Sequence, residues 1–174
     1  MSQGRAAGTE PRGQSPWLTQ KIIMNQNKTK TINKVLSEIK TDGKVLEMKN
    51  YIQHGSVSTY EHCENVVSLS YDLNKWFRLH SNLDTLLKGA MLHDFYLYDW
   101  HEDGDGSHRL HGFSHPGKAA ENAEKFFDTN REINHVIASH MWPLTPVSVP
   151  TSREAWVVCL ADKMVSLYET VFRR

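Results

Sequence analysis

Cysteine is scarce in this chain. Its 174 residues include two, Cys63 and Cys159, far apart and without C-x-x-C spacing. That excludes the disulfide framework of a small secreted domain and a thiolate-rich metal module, and leaves two buried, reduced thiols. Net charge is absent as well: 20 Lys and Arg balance 20 Asp and Glu. A chain built to hold nucleic acid or an anionic membrane carries a basic excess, so neither partner is expected. No apolar run approaches the ~18 residues of a membrane span, and the N-terminus lacks the apolar stretch of a signal peptide. A cytoplasmic protein is expected. Alternation of apolar and polar residues, the mark of a half-buried strand, is also missing.

The patterns that remain are helical, in a chain long enough for one domain with a real core. Residues 1–20 are rich in Gly, Ser, Gln and Pro and have no period. Residues 1–23 are therefore read as a disordered leader, an expression remnant or an over-long start, and 24–174 as the folded domain. INKVLSEI and GKVLEMKNYI give short amphipathic helices broken near Asp42-Gly43. Ser58-Thr59-Tyr60-Glu61 has the form of a capping box and opens a helix to about Leu79. Asn82 caps the next, through Phe95 or Leu97, and 99–114 form a loop rich in Gly, Asp and His. Within it HEDGDGSH lacks the ligand spacing and closing Glu of a calcium loop. Pro116 suits the first turn of a helix, REINHVIASHM continues helically, and Thr151-Ser152-Arg153-Glu154 opens a last helix to about Phe172. The fold expected is an all-α single domain.

Ten histidines stand out in so ordinary a composition. His62 lies in line with Val66, Leu69, Leu73 and Trp76, the spacing of one buried stripe. His93 and Asp94 follow Leu83, Leu86 and Ala90; His140 extends the row of Ile133, Val136 and Ile137; Asp162 is flanked by Val158 and Val165. His115 falls just before the expected helix start at Pro116. A single histidine on an apolar face is more often a core residue bonded to a carbonyl. Six such groups in one small domain each need a partner, and a shared metal would satisfy all of them together. Imidazole nitrogens and carboxylate oxygens without thiolate suit Fe, Mn, Zn, Co or Ni better than a soft ion.

The order H…HD…H…H…D, with the segments QHGSVSTYEHCENV, LHDFYLYDW, LHGFSHPGKAAENA, SHMWPLTP and SREAWVVCLADK, resembles the HD superfamily of metal-dependent phosphohydrolases. The resemblance covers about residues 50–170 and implies an all-helical bundle with a metal site in its interior. It makes His62, His93, Asp94 and Asp162 the ligands of a first metal. His115 and His140 match the extra histidines of the two-metal branch, with Asp94 bridging. That branch includes HD-GYP cyclic dinucleotide phosphodiesterases, diadenosine tetraphosphate hydrolases and some di-iron oxygenases. Here Met141 stands where the HD-GYP type has a second histidine, the GYP element is missing, and Phe95-Tyr96-Leu97-Tyr98 replaces the lysine that often follows HD. Cyclic dinucleotide cleavage is not expected.

Paired metals sharing a carboxylate acidify water and neutralise charge on phosphoryl oxygens, which suits hydrolysis of a small phosphorylated substrate such as a nucleotide. Asp94 then sits at the catalytic centre. His111, four residues before His115, and His54, in QHG, are candidates for proton transfer or phosphate contact. Lys163, directly after Asp162, is a candidate cationic clamp, with Lys88, Arg109, Lys118 and Arg153 behind it. Asp99 could orient a ligand histidine. Two other classes stay open: a di-iron oxygenase using the same ligands, and a non-catalytic metal or nucleotide sensor.

Overall fold

Asparagine and serine side chains define where most helices begin. The computed structural model of the chain describes residues 16–98 and 111–173, excluding the side chains of 16–20, 22, 111 and 112. Helix α1 spans Pro16–Thr41, and Asp42 caps α2 (Gly43–Glu47) by accepting the amides of Lys44 and Val45. Helix α1 begins ahead of Met24, so the division expected there is not a boundary of secondary structure. A 3₁₀ turn, Met48–Asn50, follows α2 in place of a continued helix.

Strands β1 (Ile52–His54) and β2 (Val57–Ser58) then form a small antiparallel hairpin that the sequence pattern did not announce. It turns at Gly55, whose φ of 57° is a conformation that favours glycine. Three residues and two residues are too few for alternation to register.

Ser58 accepts the amide of Glu61 at 3.2 Å and opens α3 (Thr59–Trp76) as its capping box requires. Asn82 caps α4 (Leu83–Leu92), Asn130 caps α6 (Arg131–Ser139) and Ser152 caps α7 (Arg153–Phe172). The last cap is one residue beyond the expected Thr151, which instead binds His135 through both its amide and its hydroxyl. Helix α5 (His111–Phe127) starts before Pro116, which lies inside it, so His115 is a helical residue and not a loop residue. Helix α3 stops at Trp76, short of Leu79, with Arg78 and His80 at positive φ. Helix α4 stops at Leu92, which places His93 and Asp94 at its C-terminal end and not within it.

Helix α3 packs against α4 and α7, and α6 packs against α4, α5 and α7. Their shared core is built from residues such as Val66, Leu86, Leu87, Val136, Ile137 and Val158, all fully buried. Helix α1 lies along this core through Leu36 and Ile39 and is tied to α3 by Lys28, which meets Asp72 at 2.6 Å and Ser68 at 2.7 Å. Among the described residues no helix is long and apolar enough to cross a membrane.

Helices α4 and α6 approach each other closely at Gly89 of α4. A Cβ there would come 2.6 Å from Val136 Cγ1 and 2.9 Å from Val136 Cβ on α6. One turn further along each helix come His93 and His140, whose ring centroids are 4.9 Å apart. The glycine therefore sets the spacing of two helix ends that carry site residues. Gly89→Ala is expected to cost about 1–3 kcal/mol by overpacking, read as a lower urea midpoint, and to weaken metal uptake. Gly43→Ala, where an added Cβ meets nothing within 4 Å, serves as the near-neutral control.

Candidate metal centre

Five helices converge on one buried cluster. Helix α3 contributes His62, the end of α4 His93 and Asp94, α5 His115, the end of α6 His140, and α7 Asp162. His62 and His93 are fully buried, and Asp94 is 2% exposed. All six residues expected from the sequence are thus brought together. Their ligand atoms form two groups, His62–His93–Asp94 and Asp94–His115–His140, each with its atoms within 4.8 Å of one another, and Asp94 belongs to both.

The orientation of the rings follows from the helix ends. The last carbonyls of a helix have no partner within it. His93 and His140 each follow the last residue of a helix and turn Nδ1 back onto such a carbonyl, Ala90 O at 2.8 Å and Ile137 O at 2.7 Å. A carbonyl only accepts, so Nδ1 carries the hydrogen and Nε2 of each neutral ring presents a lone pair to the cluster. His62 reaches the same orientation by another route: its Nδ1 meets Glu169 Oε2 at 2.8 Å, while Asn65 donates to Glu169 Oε1 at 2.8 Å.

These inward nitrogens face oxygen and one another. His62 Nε2 is 3.2 Å from Asp162 Oδ1, and His93 Nε2 is 3.3 Å from Asp94 Oδ2 and 3.7 Å from Asp162 Oδ1. On the other side of Asp94, His115 and His140 lie 3.2 and 3.5 Å from Oδ1, with their Nε2 atoms 3.0 Å apart. Both His93 Nε2 and Asp94 Oδ1 are buried without a hydrogen-bond partner among the described residues. Lone pairs aimed at carboxylates in a dry interior repel unless positive charge lies between them. The donor set of imidazole nitrogens and carboxylate oxygens fits divalent transition ions of the borderline kind.

The protonation equilibria carry the same message. Burial alone would lower the His62 pKa, but its hydrogen bonds with Asp162 and Glu169 outweigh that and raise it to about 10. Burial also opposes charge on His93, yet the adjacent Asp94 carboxylate raises its pKa well above the ordinary value. Asp94 and Asp162 are driven well below the carboxylate range by the neighbouring histidines, against the effect of burial. Burial, joined by the charge of His93, lowers His140 to about 3 and keeps it neutral. Without an ion, protons supply part of the positive charge that the cluster requires.

Two flanking residues were missed by the sequence reading. Gln53 of β1 donates to Asp94 Oδ2 at 2.7 Å, and its Oε1 accepts the Tyr96 hydroxyl at 2.5 Å and the Thr59 hydroxyl at 3.3 Å. This fixes one face of the Asp94 carboxylate and leaves Oδ1 turned towards His115 and His140. Glu169 is the other, two helical turns beyond Asp162 on the buried face of α7, and that seven-residue spacing could have revealed it. No comparable signal marked Gln53, because the strand that carries it was itself unannounced.

The remaining candidates divide. His54 is half-buried with its ring 5.5 Å from that of His62, and its pKa is lowered by burial and by the proximity of His62. Lys163 donates to the His140 carbonyl at 2.9 Å and to the Cys159 carbonyl at 3.4 Å, so its ammonium caps the end of α6. Lys88 pairs with Asp84, Lys118 with Glu121, and Arg153 with the Leu79 carbonyl. His111 is the first residue of α5, one turn before His115, and its side chain is outside the described part. Asp99, Arg109 and the acidic segment between them lie outside the described residues.

A family model described as HD domain matches residues 59–166. All six cluster residues fall inside the matched range, whereas Gln53 and Glu169 fall outside it. No curated protein and no solved structure matches the chain.

Removing a group that orients a metal-binding histidine typically costs 10–100-fold in affinity. Glu169→Ala is expected to weaken Mn or Zn binding by about that factor, and Glu169→Gln, which keeps an acceptor for His62, by less; competition with a chromophoric chelator measures both. Metal-free protein should also show a defined pH window. The contribution of His62 to stability is complete below its unfolded value of 6.5 and is lost as pH rises towards 10. That of Asp94 and Asp162 is complete above 3.8 and lost as pH falls through their depressed values. His140, whose folded value of about 3 lies below its unfolded 6.5, contributes stability that is complete above 6.5 and lost as pH falls towards 3. The thermal midpoint of metal-free protein should therefore be highest near pH 6.5 and fall on both sides.

Proposed function

Because the chain belongs to the HD domain family, we propose that it is a metal-dependent phosphohydrolase acting on a small phosphate ester or anhydride such as a nucleotide. The observation that carries this reading is the position of Asp94. One carboxylate is common to two ligand groups, and among the described residues its buried Oδ1 has no hydrogen-bond partner.

In this reading His62, His93, Asp94 and Asp162 hold one divalent ion, and Asp94, His115 and His140 hold a second. Ions so bound acidify water and neutralise charge on phosphoryl oxygens. The protein's own contribution is to fix the donors before substrate arrives. The carbonyls of Ala90 and Ile137 set two rings, Glu169 sets a third, and Gln53 sets the shared carboxylate. The surrounding core excludes bulk water, which strengthens every charge interaction inside it.

His54 is assigned to the substrate side. Its lowered pKa makes it neutral at pH 7, a group that donates a hydrogen bond to a phosphoryl oxygen or accepts a proton. His111, one turn from His115, is the second candidate for that role. Lys163, tied to the carbonyl of His140, is assigned to supporting that ligand and not to clamping substrate.

The test joins metal analysis to a panel of phosphomonoesters, phosphodiesters and nucleotides with Mn, Fe, Co and Ni. Hydrolysis of at least one class is expected, with both bound metal and turnover lost in Asp94→Ala. Two bound irons with oxygen consumption and no hydrolysis would replace this reading with a di-iron oxygenase. Tight nucleotide binding without turnover would replace it with a sensor.

A further inference from the structure

Helix α7 carries site residues on one face and a second apolar stripe on the other. Trp156, Leu160, Met164, Tyr168 and Phe172 recur every four residues along its outer side, with Leu167 and Val171 beside them. An amphipathic helix has one apolar face, directed at the core. The core face of α7 is already supplied by Ala155, Val158, Ala161 and Val165, and within the outer stripe it is Trp156 that meets its own domain, edge-on against Trp142 at 5.1 Å, while still 46% exposed.

Charge is nearly absent from this stripe. The charged residues exposed between positions 156 and 173 are Lys163 and Arg173. Lys163 is tied to the His140 carbonyl, and Arg173 is paired with Glu61 at 2.5 Å. A helix that lies on a lipid surface carries a strongly basic polar face, which α7 lacks. Aromatic residues and methionine without free charge are instead the composition of a protein interface core. Nor do the first fifteen residues of the chain suit it, since MSQGRAAGTEPRGQS has no large apolar side chain besides Met1.

The dimensions fit a second copy. At roughly 200 Å² for a large side chain, seven side chains 46–70% exposed leave about 800 Å² of apolar surface open. A standard interface takes about 800 Å² from each partner. The stripe is also symmetric about its middle, because Trp156 and Phe172 lie eight residues either side of Met164, and Leu160 and Tyr168 four. A two-fold axis through Met164 therefore sets Met164 on its own copy, Leu160 on Tyr168 and Trp156 on Phe172, so that each side chain of the four-residue row meets another of the row. Ridges spaced by four residues interdigitate in the commonest class of helix packing.

We infer that this protein forms a homodimer in which α7 packs antiparallel on the α7 of a second copy across a two-fold axis at Met164. Such an interface is isologous and closed, so it ends at two subunits. It would also brace, from outside, the helix that supplies Asp162 and Glu169.

Sedimentation velocity on the full chain tests this. Wild type is expected to sediment as a dimer, and Met164→Glu and Met164→Lys each as a monomer with unchanged helical circular dichroism. An equimolar mixture of the two variants should dimerise again, because only an axis at this residue sets the opposite charges together. Met164→Cys gives an independent reading: mild oxidation should link two folded copies through position 164. A monomeric wild type, a dimer indifferent to Met164→Glu, a mixture that stays monomeric, or no covalent dimer from Met164→Cys would each overturn the inference.

Discussion

A carboxylate in a dry interior, with one oxygen left unsatisfied among the described residues, is the constraint around which this domain is organised. Asp94 is 2% exposed and is faced by His62, His93, His115 and His140 from four directions. An isolated charge in such a place is prohibitive, and even a paired one is stable only when every remaining lone pair has a partner. Gln53 provides for one oxygen of Asp94, and positive charge must provide for the other. The four histidines and Asp162 make sense as a group only around that charge. Without an ion, His62 and His93 hold raised and Asp94 and Asp162 lowered pKa values, which is the protonic form of the same requirement.

Helix ends make the geometry reproducible. His93 and His140 lie where α4 and α6 terminate, and each uses a carbonyl that the helix cannot satisfy internally to fix its ring. The distance between these two ends depends on a contact one turn earlier, where Gly89 admits Val136. Backbone termination, glycine packing and ligand orientation are thus links of one chain. The residues that complete it come from the flanks: Gln53 from the hairpin before α3, and Glu169 from the last turns of α7. Both lie beyond the matched HD domain range and still touch its central residues.

Helix α7 joins this interior to the surface. Its buried side holds Asp162 against His62 and Glu169 behind it, and its outer side holds an uncharged aromatic and aliphatic row. The neutral charge balance of the whole chain, 20 basic against 20 acidic residues, hides this local asymmetry. Composition averages over faces, whereas contact surfaces are decided face by face.

The helical class, most helix starts and the six residues of the cluster are legible in the amino-acid sequence alone. These are legible because caps act within three residues, and because a polar group on a 3.6-residue apolar stripe is a local contradiction. It was the tertiary structure that decided how the pieces finish and meet. Helix α4 stops before His93 because the ring of His93 itself takes the Ala90 carbonyl, a competition that propensity does not encode. The hairpin is too short for periodicity, so Gln53 became visible only through its bond to Asp94. Lys163 follows Asp162 in sequence, yet one step along a helix turns a side chain by about 100°, and its ammonium reaches the end of α6. Residue types and local spacing are properties of the chain; which lone pair faces which oxygen depends on packing between segments a hundred residues apart.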